Sequence, residues 1–161
     1  MKDSSENHSI GYLINLLARL LAQNLRARNG ADGILPGQFP VVLRLLESER
    51  ETQKSLADYI RVGQATMAHT LKRMEAADLI KRRPMPGDRR QFSVHLTAKG
   101  SKLADTAVQN AENVNRIALS GLSEQERERL RELLANMADS LGNDLEKLNA
   151  DMCSEPGKNS R

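Results

Sequence analysis

Cysteine is almost missing from this chain. The single thiol, Cys153, excludes an intrachain disulfide. Aromatics are nearly as scarce, at 2% of residues, with only Tyr12, Phe39, Tyr59 and Phe92. A core must therefore come from Leu, Ile, Val, Met and Ala, which favours packed helices, including packing against a second subunit. No apolar run approaches the roughly 18 residues of a membrane span. The stretch from Met1 to Ser9 is polar with both charge signs, unlike a secretory signal. The expected location is the cytoplasm. Catalytic patterns are missing too. His8, His69 and His95 have no metal-ligand spacing with Cys153 or with a carboxylate pair, and no glycine loop for a phosphate occurs. These absences predict a chain that is not an enzyme and holds neither metal nor cofactor.

Charge is present and unevenly spread. A net +3 conceals a middle from Lys54 to Lys102 with eleven basic and four acidic residues, and a segment from Leu103 onward with seven basic and eleven acidic. A basic middle attracts a polyanion by releasing its condensed counterions, although charge alone is equally consistent with a solvated face.

Periodicity gives the elements. Ile10, Leu13, Ile14, Leu17, Leu20, Leu21 and Leu25 form one helical stripe, ended by Gly30 and Gly33. Pro36 suits the first turn of a second helix, with Pro40 tolerated near its start and Phe39, Val42, Leu43 and Leu46 inward. Two short helices follow. Lys54 to Ile60 turns Leu56, Ala57 and Ile60 inward, and Gln64 to Ala77 turns Met67, Leu71 and Met74 inward. The break at Arg61-Val62-Gly63 is a tight turn with glycine available for positive φ, which makes a helix-turn-helix. Ile80 and then Phe92, Val94 and Leu96 read as strands around a proline- and glycine-rich tip at Arg83 to Arg90, so a hairpin wing follows. Thr97 caps a helix carrying Leu103, Ala107, Ala111, Val114 and Ala118. Ser123 and Glu126 form a capping box for a last helix striped by Leu130, Leu134, Met137, Leu141, Leu145, Leu148 and Met152. That stripe needs a partner.

The expected fold class is mainly α with a small β-hairpin wing: a winged helix-turn-helix flanked by N- and C-terminal dimerisation helices. The expected organisation is an arm and first dimerisation helix at 1–35, a DNA-binding domain at 36–97, C-terminal dimerisation helices at 98–152 and a disordered tail at 153–161.

Outward positions on the second short helix are Gln64, Ala65, Ala68, His69 and Lys72. Gln64 can pair with adenine, and Ala65 and Ala68 can touch a thymine methyl. His69 is either a DNA contact or a solvated side chain.

Several segments form an ordered set: Gly33-Ile34-Leu35-Pro36-Gly37-Gln38-Phe39, Leu56-Ala57, Thr66 with Arg73-Met74-Glu75, Leu79-Ile80-Lys81-Arg82-Arg83, Asp88-Arg89-Arg90 and Val94-His95-Leu96-Thr97-Ala98-Lys99-Gly100. From Ile10 to Leu148 the chain resembles the MarR (multiple antibiotic resistance regulator) family. The resemblance implies a transcriptional regulator of double-stranded DNA with pseudo-palindromic operators, a homodimer, and in many relatives release by small phenolic or aromatic acids. It places Thr66 and Arg73 at phosphates and Arg90 in a minor groove, with Asp88 orienting it and Arg89 near phosphate. It makes Tyr12, Asn15, Arg19 and Phe39 candidates for a ligand pocket. Peroxide-sensing relatives carry a cysteine near the start of the first helix, and this chain has none there. The chain also departs from the pattern. Leu35 stands where a capping Thr is usual, Asp78 where Gly often ends the recognition helix, and His69 where Arg is common. A winged helix serving only as a protein-interaction module is the other function class left open.

Overall fold

The computed structural model describes residues 9–48, 50–85 and 88–154, without the side chains of 88–90 and 152–154. Among them are six helices and three strands, and the chain divides after Ile117 into two compact units.

In the first unit, α1 (Ile10–Asn29) starts on Ser9, whose Oγ accepts the Tyr12 N–H, and ends at Gly30, whose φ of 75° glycine adopts without strain. Most of its stripe is uncovered. Leu25 is buried, whereas Ile10, Leu13, Ile14, Leu17 and Leu20 are exposed.

The second helix, α2 (Phe39–Glu47), begins later than expected, with Pro40 rather than Pro36 in its first turn. Pro36 belongs to a turn that leads into it, closed by Phe39 N–H donating to Leu35 O at 3.1 Å. Although Leu35 lacks a capping hydroxyl, Gln38 Oε1 accepts the Leu35 N–H at 3.0 Å and holds this turn. The buried face of α2 is Val41 and Val42, while Leu43 and Leu46 point outward, contrary to the sequence reading.

Strand β1 (Glu51–Thr52) leads into α3 (Gln53–Ile60), and α4 (Gln64–Ala76) completes the helix-turn-helix. At the break, positive φ falls on Arg61, at 59°, while Gly63 is the extended N-cap of α4. Strands β2 (Ile80–Met85) and β3 (Asp88–Leu96) form the wing hairpin, and β1 adds to its edge in the antiparallel order β1-β3-β2. Val42, Leu56, Met67, Leu71, Met74 and Val94 meet in the core.

Helix α5 (Ala98–Ala118) starts on Thr97, whose Oγ1 accepts the Gly100 N–H at 2.9 Å and donates to Asp78 O at 2.6 Å. Lys99 Nζ donates to Ala77 O at 2.8 Å. Thr97, the residue before α5, and Lys99 in its first turn thus occupy carbonyls just past the C-terminus of α4. Asp78, standing where Gly is frequent, takes the left-handed conformation at φ 55°, which an Asp side chain tolerates.

The second unit contains α6 (Glu124–Ser154), opened by the expected capping box. Ser123 N–H donates to Glu126 at 2.8 Å and Glu126 N–H to Ser123 Oγ at 3.3 Å. Leu134, Leu141, Leu145 and Leu148 are exposed along it. The helix runs two residues into the expected tail, through Cys153 and Ser154. The rest of that tail lies outside the described residues.

One buried charge was not anticipated. Glu51, with a side chain 4% exposed, pairs with Arg44 Nε at 2.7 Å and accepts the Ser55 hydroxyl. Arg44 in turn lies 4.4 Å over the Tyr59 ring. Burial pushes the Glu51 carboxyl up, but the Ser55 and Ser48 hydroxyls and the Arg44 charge outweigh it and hold it below its ordinary value of 4.5. A depressed carboxyl stabilises the fold fully above its unfolded-state value, and that contribution disappears as pH falls through the folded-state value. Glu51→Gln is expected to cost about 1–3 kcal/mol near neutrality. Thermal melts from pH 7 to pH 3 should then show a shallower acid decline than in the parent. Parallel declines would remove Glu51 as the responsible group.

Candidate nucleic-acid interface

The geometry follows from how α4 is anchored. Met67, Leu71 and Met74 bury one face, which turns Gln64, Ala65, Thr66, His69 and Arg73 to the surface. Ala68, expected to face outward, is half-buried. Gly63 supplies no side-chain cap, so first-turn N–H groups of α4 remain open, as suits an anion. Thr70 Oγ1 donates to Thr66 O at 3.0 Å and is occupied within the helix.

Among the hollows that border this helix, two lie beside its exposed stripe. One, of about 420 Å³, is bordered by Gln53, Lys54, Gln64, Arg82, Gln91 and Phe92, between the helix-turn-helix and the wing. Arg82 Nε lies 3.4 Å from Glu75, an ion pair between wing strand and recognition helix. The other, of about 140 Å³, is formed by Leu35, Gly37, Gln38, Thr70 and Arg73. Lys54, Lys72, Lys81 and Arg83 are also exposed, so the basic middle of the sequence is largely a surface feature of this unit.

The wing pairs Lys81 with His95 and Arg83 with Ser93, and it closes at Met85 opposite Asp88 after a register shift at Pro84. Asp88, Arg89 and Arg90 begin β3 at its far end, but their side chains, with Pro86 and Gly87, lie outside the described residues.

The four ligand-pocket candidates separate. Phe39 borders an apolar cavity of about 330 Å³ with Ala18, Leu21, Ala22, Leu25 and Val114. Tyr12, Asn15 and Arg19 lie on exposed positions of α1 and do not line it; the Asn15 amide donates to Gly11 O at 3.0 Å. The sequence signal for the missed lining residues was the small side chains Ala18, Ala22 and Ala111, which leave space between α1 and α5.

A helix-turn-helix with an uncapped, polar-faced second helix, followed by a basic hairpin, defines a winged-helix DNA-binding protein. Residues 34–92 match the MarR family model. The repressor NicR of Pseudomonas putida is 32% identical over 103 residues, covering 64% of this chain and 65% of NicR. The match thus spans slightly less than two thirds of that relative. The regulator HosA of Escherichia coli O111:H- is 31% identical over 100 residues, covering 62% of this chain and 74% of HosA. The crystal structure of the transcriptional regulator SlyA superposes with a TM-score of 0.81 at 26% identity, covering 88% of this chain and 99% of SlyA. Two more distant structures share the fold. One is a MepR–DNA complex from S. aureus, with TM-score 0.76, 23% identity and coverage of 83% and 99%. The other is Bordetella bronchiseptica BpsR, whose DNA binding is regulated by 6-hydroxynicotinic acid, with TM-score 0.74, 24% identity and coverage of 86% and 98%. The chain belongs to the MarR family of transcriptional regulators, and it is a regulator rather than an enzyme.

Proposed function

We propose that the protein is a homodimeric repressor that reads a pseudo-palindromic duplex in the cytoplasm and releases it on binding a small aromatic or phenolic acid. The observation that carries the DNA reading is the exposed stripe Gln64, Thr66, His69 and Arg73 on an uncapped helix beside a basic wing. In this reading Gln64, Ala65 and His69 meet base edges, Ala68 contributes at the margin, and Thr66 and Arg73 meet phosphates. Arg90 enters a minor groove, oriented by Asp88, and Arg89 meets phosphate. A second copy covers the apolar stripes of α1 and α6, which sets the two half-sites about one helical turn apart.

For the effector, the cavity beside Phe39 has the apolar lining and the volume of a small-ligand site. BpsR supplies a precedent within the fold for an aromatic acid as regulator. Selection of bound duplexes from a random pool tests the DNA reading and is expected to return one inverted repeat. A pool that stays random after repeated rounds would favour a protein-interaction module instead. Titrating aromatic acids into the selected complex then tests the effector, with release expected for at least one of them.

A further inference from the structure

We propose that the turn before α2 forms, with Arg73 of α4, a cradle for one DNA backbone phosphate. It would contact a phosphate of the operator through Gln38, Gly37 and Arg73. The inference rests on the DNA reading above and adds two residues from outside the helix-turn-helix.

Gln38 is a polar residue only 7% exposed, and it borders the 140 Å³ hollow that Arg73 also lines. Its Oε1 is committed to the Leu35 N–H at 3.0 Å, so the function left to this amide is donation from Nε2. A buried amide that keeps a donor beside an open hollow is suited to an acceptor-only ligand. The neighbouring backbone has the same character. Gln38 N–H and Phe39 N–H both close on Leu35 O, at 2.9 and 3.1 Å, so Gly37 N–H stands at the start of this helical turn where no preceding carbonyl of the turn receives it. Arg73 contributes a guanidinium, which suits phosphate oxygens. The Thr70 hydroxyl, already donating to Thr66 O, is a wall of the hollow rather than a donor.

Location supports the choice of phosphate over a free anion. Thr66, His69 and Arg73 follow one another at helical steps of three and four, so the hollow continues the stripe that faces DNA. It sits beside the recognition helix on the α2 flank, as the larger hollow does on the wing flank. A helix lying in a major groove has a phosphate chain on each side.

The test uses the selected duplex and a series carrying one neutral methylphosphonate per half-site, at successive positions. Gln38→Glu is nearly isosteric and keeps an acceptor for Leu35 N–H, but it presents a negative oxygen where the donor was. It should bind the unmodified duplex at least about tenfold more weakly than the parent, while melting within a few degrees of it. That penalty should largely vanish on the duplex neutralised at one position per half-site, the same position at which the parent is weakened and at which Arg73→Gln becomes insensitive. A penalty of equal size on every duplex in the series would overturn the cradle. A parent insensitive to every methylphosphonate would instead contradict the DNA reading itself. Should Gln38→Glu melt far below the parent, the Arg73→Gln series decides: it supports the cradle if that variant loses sensitivity at one position only, and overturns it if no sensitivity changes.

Discussion

Gly100→Ala should lower the melting temperature by roughly 5–15 °C, although the same change inside a helix ordinarily stabilises. The reversal comes from one close approach. A Cβ on residue 100 would lie 1.9 Å from Leu79 O and 2.9 Å from Leu79 C. Both are backbone atoms that cannot rotate away. Leu79 O already accepts the Thr97 N–H at 3.0 Å, and Leu79 N–H donates to Met74 O at 2.9 Å, so Leu79 is held from both sides. Relief therefore requires α5 to lift off, and that strains the Thr97 and Lys99 bonds to Asp78 O and Ala77 O. Such overpacking against fixed backbone costs about 2–4 kcal/mol, well beyond the propensity gain of about 1 kcal/mol. Because these bonds sit just past the end of the recognition helix, DNA affinity should fall along with stability. Gly121→Ala is the control. Nothing lies within 4 Å of a Cβ there, and it should stay within about 0.5 kcal/mol of the parent. Calorimetry of the two variants decides the matter, and equal melting temperatures would show that α5 yields easily.

Replacing Leu141 and Leu145 together by Asp should convert the proposed dimer into single chains of 17.9 kDa. These leucines are 70% and 58% exposed on a helix of 31 residues, and Leu148 continues the same row at 54%. A helix of that length extends about 46 Å. Burying each leucine against a second copy contributes about 1.5–3 kcal/mol, whereas an unpaired carboxylate in the same place opposes association. Loss of the dimer also separates the two half-site contacts, so affinity for the full operator should fall by about 10²–10⁴. Sedimentation equilibrium reads the first effect and titration with the selected duplex the second. An unmodified protein that sediments as one chain at micromolar concentration would contradict the dimer.

The parts of the fold legible in the sequence were those set by local chemistry. Met67, Leu71 and Met74 declare their burial by spacing, Thr97 and Ser123 announce helix starts by side-chain capping, and Asp78 is the residue type that tolerates positive φ. What stayed hidden depends on distant partners. Strand β1 is two residues long and exists because Glu51 and Thr52 pair with Val94 and Ser93 more than forty positions away. Glu51 is buried because Arg44 and Ser55 meet it, which no local pattern encodes. In the turn at Arg61-Val62-Gly63 the positive φ fell on Arg61, since Gly63 was needed in extended form to start α4. At the candidate site, helical period alone gave Gln64, Ala65, His69 and Lys72 as exposed and misplaced the half-buried Ala68, while Thr66 and Arg73 came from the family resemblance. Gln38 stands in the segment before α2, and nothing local places it at the hollow that Arg73, thirty-five positions on, also borders.

A regulator of this kind must distinguish base sequences and not merely hold a polyanion. The most direct measurement is the affinity of the intact protein for its best selected duplex against a scrambled duplex of equal length and composition, at about 0.15 M salt. A ratio of at least about 10³ is expected, with affinity for both duplexes falling as salt rises. Equal affinity for the two would contradict the claim and leave only a basic surface that holds DNA without reading it.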